Sequence, residues 1–112
     1  MNNLNSVLIE GTLSMNPEYT TSENEIISGA FIIESNRYFK KDGELEKESL
    51  FFSIIMSNGL AVNMREILLK EMFIRLVGRL SQDEDGDVII IAEHIEIKNQ
   101  GDNNDKTTAT IN

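Results

Sequence analysis

The sequence predicts an all-β domain: a five-stranded barrel with one helix between its third and fourth strands. Three observations lead there. Apolar residues recur near period two in five separate segments, a single segment has helical spacing instead, and the connections carry turn residues.

The first predicted strand is Leu4 to Leu13, followed by the polar stretch SMNPEYTTSENE, which contains Pro17 and reads as a loop. Ile26 to Ser35 and Leu50 to Met56 are the second and third, joined through KKDGE, whose Asp42-Gly43 pair suits a tight hairpin. In Leu60 to Lys70 the residues Leu60, Met64, Ile67 and Leu68 fall at i, i+4, i+7 and i+8, one face of a helix that Ser57 or Asn58 would cap. Met72 to Leu80 and Val88 to Ile97 are the last two strands, separated by SQDEDGD with a second Asp-Gly pair, Asp85-Gly86. In the fourth strand Ile74, Leu76, Gly78 and Leu80 form the predicted inward row, opposite Phe73, Arg75, Val77 and Arg79. Beyond Ile97 the pattern stops, and residues 98 to 112 read as a flexible polar tail after a domain of residues 1 to 97.

Strand, strand, strand, helix, strand, strand is the element order of the OB-fold, a small partly open barrel whose second and third strands often face nucleic acid. SH3-like barrels and curved sheets with one helix give similar strings.

Composition narrows the function classes. A chain of 112 residues with 40% apolar and 26% charged residues supports one core of ordinary globular type. Without Cys there are no disulfides, thiol nucleophiles or Cys-type zinc sites, and the lone His94 can build neither a multi-histidine metal site nor, without a partner motif, a triad. The acidic groups Asp83, Glu84, Asp85, Asp87 and Asp42, Glu44, Glu46, Glu48 lack the EF-hand register and read as solvated turns. No Gly-rich phosphate loop occurs, so the chain reads as a binding module, not an enzyme, with no cofactor and no metal. The longest apolar run, Val88 to Ala92, is too short to cross a bilayer, and the amino terminus lacks the pattern of a secretory signal; a cytoplasmic protein is expected.

A net charge of −9 opposes general attraction to a polyanion, so a nucleic-acid site must be local. One segment qualifies. Arg37, Tyr38, Phe39, Lys40 and Lys41 interleave three cations with two rings and no acid, the combination that holds single strands by phosphate pairing and base stacking. A solvated hairpin with one ring packed inward fits the same residues. Phe51 and Phe52, adjacent in a strand, must face opposite ways. Phe52, Ile54 and Met56 make one inward row, though Phe51, Ser53 and Ile55 are also half apolar.

Several segments together resemble the bacterial single-stranded DNA-binding proteins. NSVLIEGTLSMNPEY, with Gly11, Leu13, Pro17, Glu18 and Tyr19, resembles that family's first strand and loop. SNRYFKKDGELEKESLFFSIIM resembles its second hairpin, LAVNMREILLKEMFIRLVGRL its helix and fourth strand, and IIIAEHIEI its last strand. The resemblance implies coating and protection of exposed single-stranded DNA in replication, recombination and repair, without sequence preference, at the nucleoid. It implies stacking by Tyr38, Phe39 and Phe51, with Phe51 turned outward. Phosphate contacts would come from Arg37, Lys40, Lys41 and Lys47, and from Arg75 and Arg79, for which pairing with acids fits as well. It also implies a homotetramer, or a dimer as in the related primosomal replication protein. The chain departs from the family in having no Trp, Ser57 where an aromatic is common, and a short acidic loop at SQDEDGD. Its ending TTATIN lacks the acidic tip by which many members recruit replication and repair proteins, so such partners stay open but without that route. A primosomal-type or protein-interaction OB module with weak or no DNA binding is the alternative.

Overall fold

Alternating side chains can bury one face of a strand only if the sheet finds something to close on, and here it closes on itself. The computed structural model describes residues 1–98 and 109–111. Its strands are β1 (Val7–Leu13), β2 (Glu18–Ser22), β3 (Glu25–Lys41), β4 (Glu44–Ser57), β5 (Phe73–Gln82), β6 (Val88–Lys98) and β7 (Ala109–Ile111), with α1 (Asn58–Met64) between β4 and β5. The order β1-β5-β6-β4-β3 is completed by β3 pairing back to β1 through Thr12 with Glu34 and Leu13 with Ile33. Five strands therefore form a closed barrel, the β4–β6 contact being its parallel one. This is the OB-fold order anticipated from the elements.

Inward rows from all five strands meet in one cluster that includes Leu13, Phe31, Ile33, Ile54, Met56, Ile74, Leu76, Ile90 and Ile95. The inward row of β5 is buried at Ile74, Leu76 and Gly78, but Leu80, expected inside, is exposed near the end of the strand. Gly78 has a packing reason to be glycine. It sits at the register shift between β5 and β6, where a Cβ would run into the Ile91 carbonyl oxygen.

The elements differ from expectation in several places, and β3 and β4 run past the predicted Ile26 to Ser35 and Leu50 to Met56. The polar loop after β1 contains β2, which pairs with β3 through a tight turn with Glu23 and Asn24 at φ 52° and 69°. Only Tyr19 packs on the core from this strand, so its sequence carries no apolar alternation to find. The helix ends at Met64 instead of Lys70, and in chain order it follows the fourth strand because β2 has been added; it still lies between the third and fourth strands of the barrel. After it, Ile67 and Leu68 amides return to the Met64 carbonyl, which lets Leu68 bury without further helix. Ser57 occupies the cap position but makes no capping bond, and the Asn58 amide instead donates to the Ile26 carbonyl at 2.6 Å.

The expected tail begins differently: Lys98 closes β6, and Ala109–Ile111 pairs along Ile95 to Ile97. The remainder of that expected tail, residues 99–108 and 112, lies outside the described residues.

Candidate nucleic-acid interface

β3 and β4 continue past the barrel as a two-stranded arm, because Asn36 to Ser49 contains too little apolar surface to bury on either side. Its tip is a two-residue turn with Asp42 and Gly43 at φ 55° and 83°, the left-handed pair that matches strand twist. The barrel beneath fixes the parity of the arm. With Ile33 and Phe52 facing inward as a cross-strand pair, Glu34 and Phe51 must face out, and alternation carries that assignment to the tip.

Parity divides the expected site between two faces. On the outer face, successive cross-strand pairs are Glu34 with Phe51, Asn36 with Ser49, Tyr38 with Lys47, and Lys40 with Leu45. Phe51 and Tyr38 are 60% and 61% exposed, large rings left in water about 13 Å apart along the strands. Between them the Ser49 hydroxyl donates to Asn36 Oδ1 at 2.8 Å, tying the two strands together at mid-arm. On the reverse face lie Arg37, Phe39 and Lys41, directly opposite Glu48, Glu46 and Glu44. Arg37 Nε donates to Glu48 at 3.2 Å, and its guanidinium lies 4.5 Å from the centre of the Phe39 ring. Phe39 is half-buried under that cover. Phe51 faces out and Ile54 and Met56 are fully buried, so the orientation left open by the pattern is decided.

The cations of the barrel wall are placed differently from those of the arm. Arg75 makes a two-pronged contact with Glu10 at 2.8 and 2.7 Å and reaches Glu96 at 3.8 Å, each acid being its direct neighbour across β1 or β6. Arg79 pairs with Glu93 at 3.6 Å. Among the described residues, Lys40, Lys41 and Lys47 have no ion pair.

Beside the arm a groove of about 790 Å³ opens between β1, β3 and β5. Its walls include Leu8, Thr12, Glu34, Asn36, Tyr38 and Phe73, with Arg75 at the β5 side. Glu34 and Asn36 escaped the sequence reading because neither is aromatic or cationic. Counting by twos from the partner of Phe51 would have found them. A second, smaller and more apolar trough of about 310 Å³ continues the outer face past Ile32, Ser53 and Ile55 toward Asp83 and Ile89.

The acidic turn after β5 is explained locally. Asp83 Oδ1 accepts from the Asp85 and Asp87 amides, both at 2.9 Å, which brings the three exposed carboxylates together as part of the turn. Tyr19, on β2, has a buried hydroxyl with no hydrogen-bond partner among the described residues; burial raises its phenol above the usual 10, opposed by Arg65 and reinforced by Glu66. Among the described residues no helix is long and apolar enough to cross a membrane.

Comparison with known proteins agrees with this fold. The model of the single-strand binding protein family matches residues 4–111. No curated protein matches the chain in sequence. Among solved structures, a small single-stranded DNA-binding protein from Streptomyces coelicolor superposes with a TM-score of 0.69 at 19% identity, covering 88% of this chain and 96% of the other. A deletion mutant of the single-stranded DNA binding protein from Thermus aquaticus gives 0.74 at 22% identity, over 88% of this chain and 52% of that one. A Plasmodium falciparum SSB in complex with single-stranded DNA gives 0.73 at 13% identity, over 88% and 98%. At these identities the superpositions establish a shared fold.

Proposed function

The chain belongs to the single-strand binding protein family, and from that premise we propose that it binds single-stranded DNA along the outer face of the arm, coating exposed strands in replication, recombination and repair. One observation carries the assignment to this face: two exposed rings, Tyr38 and Phe51, share it with Lys40 and Lys47, which have no ion pair among the described residues, while Glu44, Glu46 and Glu48 lie behind. Unpaired bases stack on the rings whatever their identity, and the lysines meet phosphates. Lys41, on the reverse face but at the hairpin tip, adds a third cation that has no ion pair among the described residues. Arg37 and Phe39 brace the arm from behind, through the ion pair with Glu48 and the stacked ring. Arg75 and Arg79, neutralised by acids of the barrel, contribute to the wall and not to the phosphate path.

Binding resides in residues 1 to 97 on this reading, with residues 98 to 112 as an appended segment. The protein works in the cytoplasm at the nucleoid. Self-association, to a tetramer as in the family or to a dimer, is supported by the exposed Leu8 on β1 and Leu80 on β5. Sedimentation distinguishes four copies of 12.7 kDa from two.

The decisive experiment is titration of a fluorescent oligo-dT at two salt concentrations. Three neutralised phosphates give a log-log salt slope of about −2 for a single strand. Equal affinity for duplex, or a response indifferent to salt, would instead favour the protein-interaction module.

A further inference from the structure

The outer face contains one residue that a purely electrostatic path would not choose. Glu34 stands directly across from Phe51 and lines the groove between β1, β3 and β5. The residue is half-buried, and its carboxylate, among the described residues, takes part in no hydrogen bond or ion pair. Its backbone is paired on both sides, with Thr12 of β1 and Phe51 of β4, so the position is held by the barrel itself. Asn36, the next outward residue, has its oxygen engaged by Ser49 and adds an amide to the same wall.

Cross-strand neighbours have Cβ atoms about 5 Å apart, so a base lying on the Phe51 ring presents its edge within reach of the Glu34 side chain. An ionised carboxylate only accepts hydrogen bonds. It repels phosphate, which turns the strand so that bases face the groove, and it disfavours base edges made of acceptors. Guanine alone among the DNA bases offers two adjacent donors, N1–H and N2–H, matching both carboxylate oxygens. Thymine sets a single N3–H between two carbonyls; cytosine and adenine place a ring acceptor beside the amino group.

We propose that the Glu34 wall of this groove, across the sheet from Phe51, is a base-edge reading site in which Glu34 selects guanine. This rests on the single-strand reading above and adds one discriminating position to an otherwise sequence-tolerant path. The full chain is titrated with labelled oligo-dT, with the same oligomer carrying isolated dG residues, and with inosine at those positions. Isolated residues do not form quadruplexes. A matched two-bond contact predicts that the dG oligomer binds at least about fivefold more tightly than oligo-dT. Inosine, which lacks the N2 amino group, loses most of that gain. In Glu34→Gln the dG to dT ratio returns to about one while oligo-dT still binds.

Equal affinity of the native chain for the dG and dT oligomers, with oligo-dT bound, overturns the guanine site and leaves the single-strand reading intact. So does a preference that survives in Glu34→Gln, or a variant that gains affinity for every oligomer alike without any native preference, which would make Glu34 a mere repeller of phosphate. Failure of the native chain to bind any of the three ends both proposals.

Discussion

The arm and the barrel wall both contain cations and acids, yet they use them in opposite ways. On the wall, Arg75 lies between Glu10 and Glu96, and Arg79 beside Glu93, so charge is consumed within the molecule. On the arm, parity places Glu44, Glu46 and Glu48 on the reverse face and leaves Lys40 and Lys47 beside Tyr38 and Phe51. A chain with a net charge of −9 can thus present a local cationic, ring-bearing strip. Changes on the arm should alter binding with little effect on stability, and changes in the barrel the reverse.

The largest expected effect tests the arm. Replacing Tyr38 and Phe51 together by Ala removes two stacking surfaces worth about 1 to 3 kcal/mol each. Oligo-dT affinity should fall by a factor of about 25 or more, with an unchanged melting temperature; a large drop in melting temperature would mean the rings belong to the fold. The barrel supplies the counterpart. Gly78→Ala drives a methyl group into the Ile91 carbonyl and is expected to cost about 3 kcal/mol in urea denaturation, because neither backbone can move without opening the β5–β6 pair.

A finer comparison uses the cations directly. Lys40→Ala with Lys47→Ala should flatten the log-log salt slope by about 1.4, two phosphate contacts' worth for a single strand. Arg75→Met should leave that slope alone while lowering stability by about 1 kcal/mol or less, since the pair with Glu10 is partly exposed. If the two variants change the slope equally, the distinction between arm and wall fails.

The smallest effect concerns Tyr19. Its buried hydroxyl has no partner among the described residues, so Tyr19→Phe should change stability by only about 0 to 1 kcal/mol, in the stabilising direction. Burial raises the phenol above 10, so the folded chain holds that proton more tightly than the unfolded one. The associated stability is fully present below the unfolded value and is lost as pH rises through the folded one. Denaturation measured on both sides of that value should show a shallower alkaline loss in the Phe variant.

The five barrel strands were legible because each has an apolar row that the barrel interior demands, and the Asp42-Gly43 turn because few other residues accept its backbone. β2 was not, since an edge strand of Glu, Thr and Ser is held by main-chain bonds to β3 that any residues can make. The helix face was read from its spacing, but its end was not: turns after Met64 bury Leu68 as well as another helical turn would have done. Within the candidate site, residue type grouped five neighbours, Arg37 to Lys41, as one surface, although a strand cannot present five consecutive residues on one side.

By itself the sequence determined the barrel, its hairpins and the place where cations and rings concentrate, because hydrophobic alternation and turn chemistry are local properties of the chain. Only the tertiary structure decided which residues share a face or a contact. Closure of the barrel set the parity of β3 and β4, and that parity joined Tyr38 to Phe51 and Glu34, sent Arg37 and Phe39 to the other side, and brought Arg75 against Glu10 from a strand 65 residues away. Pairing between strands distant in sequence depends on register, and register is a property of the closed sheet.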